Sequence, residues 1–364
     1  MKILFALPGL HRFDRGAEIA FISIANELAR SGDAVTLIGS GQERAETRYR
    51  FIQARSISRA FFQSFPSFPP LRNEYTYEEL SFVPELLARY HPRDYDVTLT
   101  CSYPFTNWLL RRPTLRGPRP PHVFVTENGD WPATANNAEY RFFGCEGLIC
   151  TNPDFYERNR TRWRCQLIPN GVDCERFKPG TSQRALFGLP ENKLLVLIVS
   201  ALIPSKRIHV GLEAASKISD THLVIAGDGP LRHEIKTAAA KLMPNRLTLL
   251  SVPAEQMPLL YRSVDVFLHL SKAESFGNVF LEAMACGLPI VAHESSRLRW
   301  IVGDDQFLID TDNIADVTAA IKSAINSPYE RRNAAKLRAL SFSWEKVGQM
   351  YSNFLRDVVR TDRK

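Results

Sequence analysis

Two glutamates stand with seven residues between them in residues 272–292, KAESFGNVFLEAMACGLPIVA, and this stretch carries the most chemistry in the chain. Phe276-Gly277-Asn278 lies just after Glu274, and a run of helical spacing (Val279, Leu281, Ala283, Met284, Ala285) holds Glu282 and stops at Gly287-Leu288-Pro289. On one continuous helix, eight positions turn the chain roughly 80° beyond two full turns, so the two carboxylates would not share a face. The spacing therefore predicts Glu274 on a loop after a strand and Glu282 inside the helix that follows. Gly277 would let a phosphate approach the N-terminus of that helix, where free N–H groups and the dipole favour an anion. Two carboxylates beside an anion hole suit a ligand with phosphates in its middle and hydroxyls at both ends, as in a nucleotide sugar.

With Ser275-Phe276-Gly277-Asn278 inside it and Glu282-Ala283-Met284-Ala285-Cys286-Gly287-Leu288-Pro289 attached, the segment resembles the donor-binding motif of GT-B glycosyltransferases, in particular the retaining family 4 enzymes of glycosyl transferases group 1. The resemblance implies an α/β chain of two Rossmann-like, doubly wound domains facing across a cleft. It implies that Glu274 meets the hydroxyls of the donor sugar and Glu282 the ribose, with Phe276 and the amides of Gly277, Asn278 and Val279 near the diphosphate.

Three further stretches are read through the same resemblance. In Ser200–Arg207, SALIPSKR, Lys206 and beside it Arg207 are candidates to stabilise the departing diphosphate. The family has an Arg five positions before this Lys, where this chain has Ala201. Gly227-Asp228-Gly229 matches a glycine turn, read as mainly structural. Leu250-Ser251-Val252-Pro253 matches the loop that holds the base through its backbone, and Val252 is placed there, with uracil as the expected base. In the first half, Arg15-Gly16 opens a long helix where the family has a glycine-rich turn against the diphosphate; one glycine remains, and Glu18 is read as a dipole partner. The family often carries a His after the fourth strand. Here Glu127-Asn128-Gly129-Asp130 occupies the place, so Glu127 or Asn128 is expected at the reacting face, and Glu127 with Asp130 is a candidate pair for an acceptor hydroxyl.

The elements that must position these groups follow from pattern. A chain of 364 residues, 45% hydrophobic and 23% charged, has the material for two ordinary domains and not for disorder. Residues 3–7, 35–38, 96–100, 123–126 and 147–150 read as strands alternating with helices, the first helix over 16–30, which predicts a parallel sheet covered on both faces. The scheme repeats with strands at 194–200, 223–226, 247–250, 266–270 and 289–292, and an amphipathic helix closes the chain over 344–359. The expected domains are 1–175, joined by the last helix from about 345 to 364, and 176–344. Residues 53–75, rich in Ser, Phe and Pro, fit neither period and predict an irregular insert.

No apolar run is long enough to span a membrane, and the first residues read as a strand rather than a leader, so a cytoplasmic protein with six reduced thiols is expected. The net charge of +7 favours anionic partners. No nucleic-acid module is apparent. Arginines 44, 48, 50, 55 and 59, interleaved with Phe51, Phe61, Phe62, Phe65 and Phe68, are compatible with peripheral contact at the inner face of a membrane; Arg111, Arg112, Arg116 and Arg119 form a second basic cluster. No cofactor is expected, and no metal, because no Asp-x-Asp segment is read as a metal grip and the chain has no metal-spaced His or Cys cluster. The reading is transfer of a hexose from a UDP-sugar to a saccharide or lipid-linked hydroxyl with retention of configuration; nucleotide-sugar epimerisation on the same fold and non-catalytic nucleotide-sugar binding are the alternatives.

Overall fold

A computed structural model describes residues 1–112, 118–272, 274 and 276–362. Arg116 and Ser275 therefore lie outside the described residues. The chain divides into two compact units, Met1–Asn170 with Trp344–Lys364, and Gly171–Ser343. Each is built on one wholly parallel sheet, the α/β organisation that the strand-helix alternation predicts.

The first unit contains β1 (Lys2–Ala6), β2 (Ala34–Gly39), β3 (Arg50–Gln53), β4 (Val97–Thr100), β5 (His122–Val125), β6 (Gly147–Cys150) and β7 (Cys165–Leu167), in the order β3-β2-β1-β4-β5-β6-β7. Along β1 alternate residues feed opposite faces: Ile3 and Phe5 enter one core, Leu4 and Ala6 another. Burial on both faces is why the strand reads as a continuous apolar run. The last helix, Trp344–Asp362, buries Val347, Tyr351, Phe354, Leu355 and Val358 in the core that also holds Ile3 and Phe5. Gly348 permits close contact there, since a Cβ on it would lie 2.7 Å from Glu27 Cβ of helix Gly16–Arg30.

The second unit contains β8 (Leu194–Val199), β9 (Thr221–Ala226), β10 (Leu247–Leu250), β11 (Val266–His269), β12 (Ile290–His293) and β13 (Phe307–Ile309), in the order β10-β9-β8-β11-β12-β13. Leu195 and Leu197 pack into one core and Val196 and Ile198 into the other. The strand order reverses between β8 and β11, which run side by side. At such a switch point the loops leaving the two carboxyl ends diverge and leave a crevice.

Residues 53–75 are largely irregular, with one turn of helix at Arg59–Phe62. The sequence reading omitted what flanks them: the edge strand β3 and helix Glu74–Arg89, which starts on a reciprocal Asn73–Thr76 capping box and carries Pro84 inside it. A four-residue strand reading RFIQ and a helix interrupted by proline offer little periodicity to detect.

Candidate functional site

Lys206 and Glu274 are 68 positions apart in sequence and meet as an ion pair, Lys206 Nζ against Glu274 Oε1. The sheet order explains the encounter. Lys206 ends a one-turn helix in the loop leaving β8, and Glu274 sits in the loop leaving β11, the two strands flanking the switch point. The Gly227-Asp228-Gly229 turn after β9 supports the Lys206 loop: Leu202 N donates to Asp228 O at 2.9 Å, and a Cβ on Gly227 would fall 1.9 Å from Ser200 O.

Glu274 is held from several sides. His269, the last residue of β11, donates from Nε2 to the same Oε1 at 2.8 Å, and Arg297 donates to the backbone carbonyl of Glu274. Burial alone would push this carboxyl up. The hydrogen bonds and charges supplied by His269 and then Lys206 outweigh it and hold the group at about 2. Glu274 is thus an anion at any physiological pH.

Helix Asn278–Ala285 follows, entered through Gly277 at φ 90° and ψ 66°. That left-handed conformation, with a Cβ that would lie 2.8 Å from the Phe280 ring, leaves glycine the residue that fits. Phe276 is turned inward, 2% exposed, against Trp300 and Phe342, so its backbone rather than its ring is on the site side. Asn278 opens the helix, and Val279 and Val252 pack their side chains on the core beneath. Glu282 lies within the helix and accepts from the Tyr261 hydroxyl at 2.9 Å. Burial pushes its carboxyl up, with the Tyr261 hydrogen bond and the Arg176 charge opposing. Arg207 donates to Thr311 Oγ1 at 2.6 Å and to Asp312 Oδ1 at 2.7 Å, bracing the loop after β13.

The first unit holds the other candidates. Gly16 is exposed at the start of its helix. Arg15 lies over the Phe13 ring, 4.2 Å from its centroid, and pairs with buried Glu18 at 2.9 Å. Gly9 is what permits this pair, because a Cβ there would lie 1.9 Å from Glu18 Oε1. Glu127 accepts from Asn170 at 2.9 Å through Oε2, while its buried Oε1 has no hydrogen-bond partner among the described residues. Burial pushes its carboxyl up to about 7 against that one hydrogen bond. Asn128 is exposed. Asp130 does not join Glu127: Arg158 grips it with two bonds of 3.0 and 2.8 Å, and Asn159 adds a third at 2.9 Å.

His269, Tyr261 and Arg297 had no place in the sequence reading. One signal was available for His269, a histidine ending an otherwise apolar strand five residues before the first motif glutamate. Among the described residues no group of three or more His, Cys, Asp or Glu is placed to hold a metal. The chain does contain the triplets Asp94-Tyr95-Asp96 and Asp310-Thr311-Asp312; Asp96 accepts from Lys2 N, and Asp312 is paired with Arg207 and Lys272. Of the basic run, Arg44 pairs with Asp14 and Arg59 with Glu78, while Phe61, Phe65 and Phe68 stay exposed. Among the described residues no helix is long and apolar enough to cross a membrane.

Comparison with known proteins covers most of the chain. A family model described as glycosyltransferase family 4 matches residues 15–176, and one described as glycosyl transferases group 1 matches residues 181–340. D-inositol 3-phosphate glycosyltransferase of Mycolicibacterium smegmatis is 33% identical over 199 residues, 51% of this chain and 46% of the relative. Alpha-monoglucosyldiacylglycerol synthase of Streptococcus pneumoniae is 24% identical over 231 residues, 59% of this chain and 52% of the relative. The chain thus spans about half the length of the curated relatives it matches. Sucrose-phosphate synthase of Thermosynechococcus elongatus superposes with a TM-score of 0.79 at 19% identity, covering 99% of both chains. Anabaena HepE in complex with UDP and glucose superposes with a TM-score of 0.73 at 21% identity, covering 98% of this chain and 99% of that one. At these identities the solved structures establish the fold, GT-B.

Proposed function

The chain belongs to the family 4 glycosyltransferases, and on that premise we propose that it moves a hexose from a UDP-sugar to a hydroxyl acceptor with retention of configuration. The observation that carries the reading is the convergence of Lys206 and Glu274 at the switch point of the second sheet, beside a helix N-terminus entered through Gly277. In this reading Lys206 and the amides from Gly277 to Val279 hold the diphosphate, Glu274 takes the sugar hydroxyls and Glu282 the ribose. Val252 lies at the base. Gly16, at its own helix start, is the first unit's candidate for a diphosphate contact. The bond between the anomeric carbon and the phosphate oxygen breaks as the acceptor oxygen bonds the same face, and the acceptor proton passes to the departing diphosphate. Electrostatic stabilisation of that leaving group is then the main catalytic task. Glu127, whose carboxyl burial pushes up to about 7, is the group proposed to orient the acceptor hydroxyl, with Asn128 beside it.

The complex of HepE with UDP and glucose supports UDP as carrier, and the diacylglycerol glucosyl relative supports a glycolipid product; a polysaccharide product is the other form of the same proposal. Exposed Phe61, Phe65 and Phe68 support peripheral contact with a lipid-linked acceptor. Co-flotation with vesicles containing anionic lipid at low salt is expected; vesicles that float without the protein would remove this part.

The test is incubation of the purified chain with a panel of UDP- and GDP-linked hexoses, with and without saccharide and lipid-linked acceptors, with and without EDTA. Nucleoside diphosphate release and the product's anomeric configuration are read by NMR. Acceptor-dependent UDP release with retained configuration, undiminished by EDTA, is expected. A sugar isomer formed without acceptor would instead identify an epimerase, and binding without release a non-catalytic binder.

A further inference from the structure

We propose that His269 is a positioning residue for the donor sugar, the fixed partner that keeps Glu274 aimed while Lys206 changes partners. The inference rests on the reading of Glu274 as the group that takes the sugar hydroxyls.

Glu274 Oε1 receives two donors, His269 Nε2 at 2.8 Å and Lys206 Nζ. These donors differ in kind. Lys206 carries its ammonium on a flexible four-carbon stem and is 20% exposed, so it can swing to a neighbouring anion. His269 is 3% exposed and has no such freedom. Its ring lies parallel to Phe267, 6.2 Å away at 11°, and meets the edge of Phe280 at 5.0 Å and 76°. Phe267 belongs to the same strand, and Phe280 to the helix that carries Glu282. The imidazole is therefore clamped between the two elements that define the site.

Opposite an ionised carboxylate, Nε2 must be the donor. When Lys206 turns to the diphosphate, it leaves Oε1 with His269 alone. That bond then decides where Oε2 points, and among the described residues no partner claims Oε2. A carboxylate left without a fixed donor would sample several rotamers, and small misplacements of such groups cost much in rate. The same bond helps keep the carboxyl ionised, since hydrogen bonding to the charged form favours it.

The experiment compares His269→Phe, His269→Gln and Glu274→Gln in the full chain with UDP-glucose or whichever sugar nucleotide the panel identifies. Phenylalanine keeps an aromatic body between Phe267 and Phe280 and removes the donor; glutamine returns an N–H at the reach of Nε2. His269→Phe is expected to lower kcat roughly 10- to 100-fold, the equivalent of one hydrogen bond to a charged group, with a smaller change in KM for donor. The acid limb of its kcat/KM profile moves to higher pH, because a carboxyl that loses a donor protonates earlier on the way down from neutrality. His269→Gln is expected to recover most of kcat and the acid limb. A folded His269→Phe with wild-type kcat and acid limb, or one in which only the melting temperature falls, overturns the proposal, as does a folded His269→Gln that recovers nothing. If Glu274→Gln itself leaves kcat and donor KM unchanged, the reading of Glu274 fails; if Glu274→Gln is crippled and His269→Phe is not, the role of His269 alone fails.

Discussion

The Tyr261 hydroxyl donates to Glu282 Oε2 at 2.9 Å from a fully buried position, so the second motif glutamate is held from behind just as His269 holds the first. Tyr261→Phe should keep the packing and lose this bond. Donor KM is expected to rise about 10-fold, with kcat little changed, since the ribose is held equally in ground and transition states. The hydrogen bond holds the Glu282 carboxyl down against burial, so its removal lets the group protonate at higher pH. The variant's deficit in UDP affinity, measured by calorimetry, should therefore widen as pH is lowered.

Lys206→Ala should reduce turnover about 10²–10³-fold under saturating donor if its charge stabilises the leaving diphosphate. Lys206→Arg keeps the charge but not the compact ammonium, and intermediate rates are expected. Turnover of Lys206→Ala like that of the wild type, measured as UDP release, would contradict the assignment.

Gly277→Ala places a Cβ 2.8 Å from the Phe280 ring at a residue with φ 90°. A loss of about 1–3 kcal/mol in denaturant unfolding is expected, together with weaker UDP binding as the helix entrance shifts. Gly303 also has a positive φ, but a Cβ there meets nothing within 4 Å, so Gly303→Ala should lose stability and spare binding.

Glu127 titrates near 7 because burial disfavours its charge, with one hydrogen bond from Asn170 opposing. The folded state therefore holds this proton more tightly than the unfolded chain, whose carboxyl has the ordinary value of 4.5. The stability this contributes is complete below the unfolded value and is lost as pH rises through about 7. Glu127→Gln should flatten that decline, gaining on the wild type by at most about 3 kcal/mol at alkaline pH in urea unfolding. Glu79, also pushed up to about 7, keeps part of the slope. An inflection in activity near pH 7 that disappears in Glu127→Gln would tie the same carboxyl to the acceptor.

The residues legible in sequence are those whose neighbours in space are also neighbours in the chain. Glu274 on a loop, Glu282 in the following helix and Gly277 between them form one local strand-loop-helix unit, and its type and spacing are visible without any fold. Strand-helix alternation carried the two parallel sheets for the same reason, since periodicity is local. The three-residue spacing of Glu127 and Asp130 says nothing about Arg158 and Asn159, which hold Asp130 in the folded chain.

By itself the sequence determined the class of the fold, the family and the local strand-loop-helix unit around Gly277, because backbone preference, hydrophobic period and short motifs act over a few residues. Which donors reach Glu274, which side chain steadies Glu282 and that Glu127 keeps a buried oxygen without a partner among the described residues were decided only in three dimensions. The order of strands brings the ends of β8 and β11 together, and burial then sets the charge of whatever groups meet there.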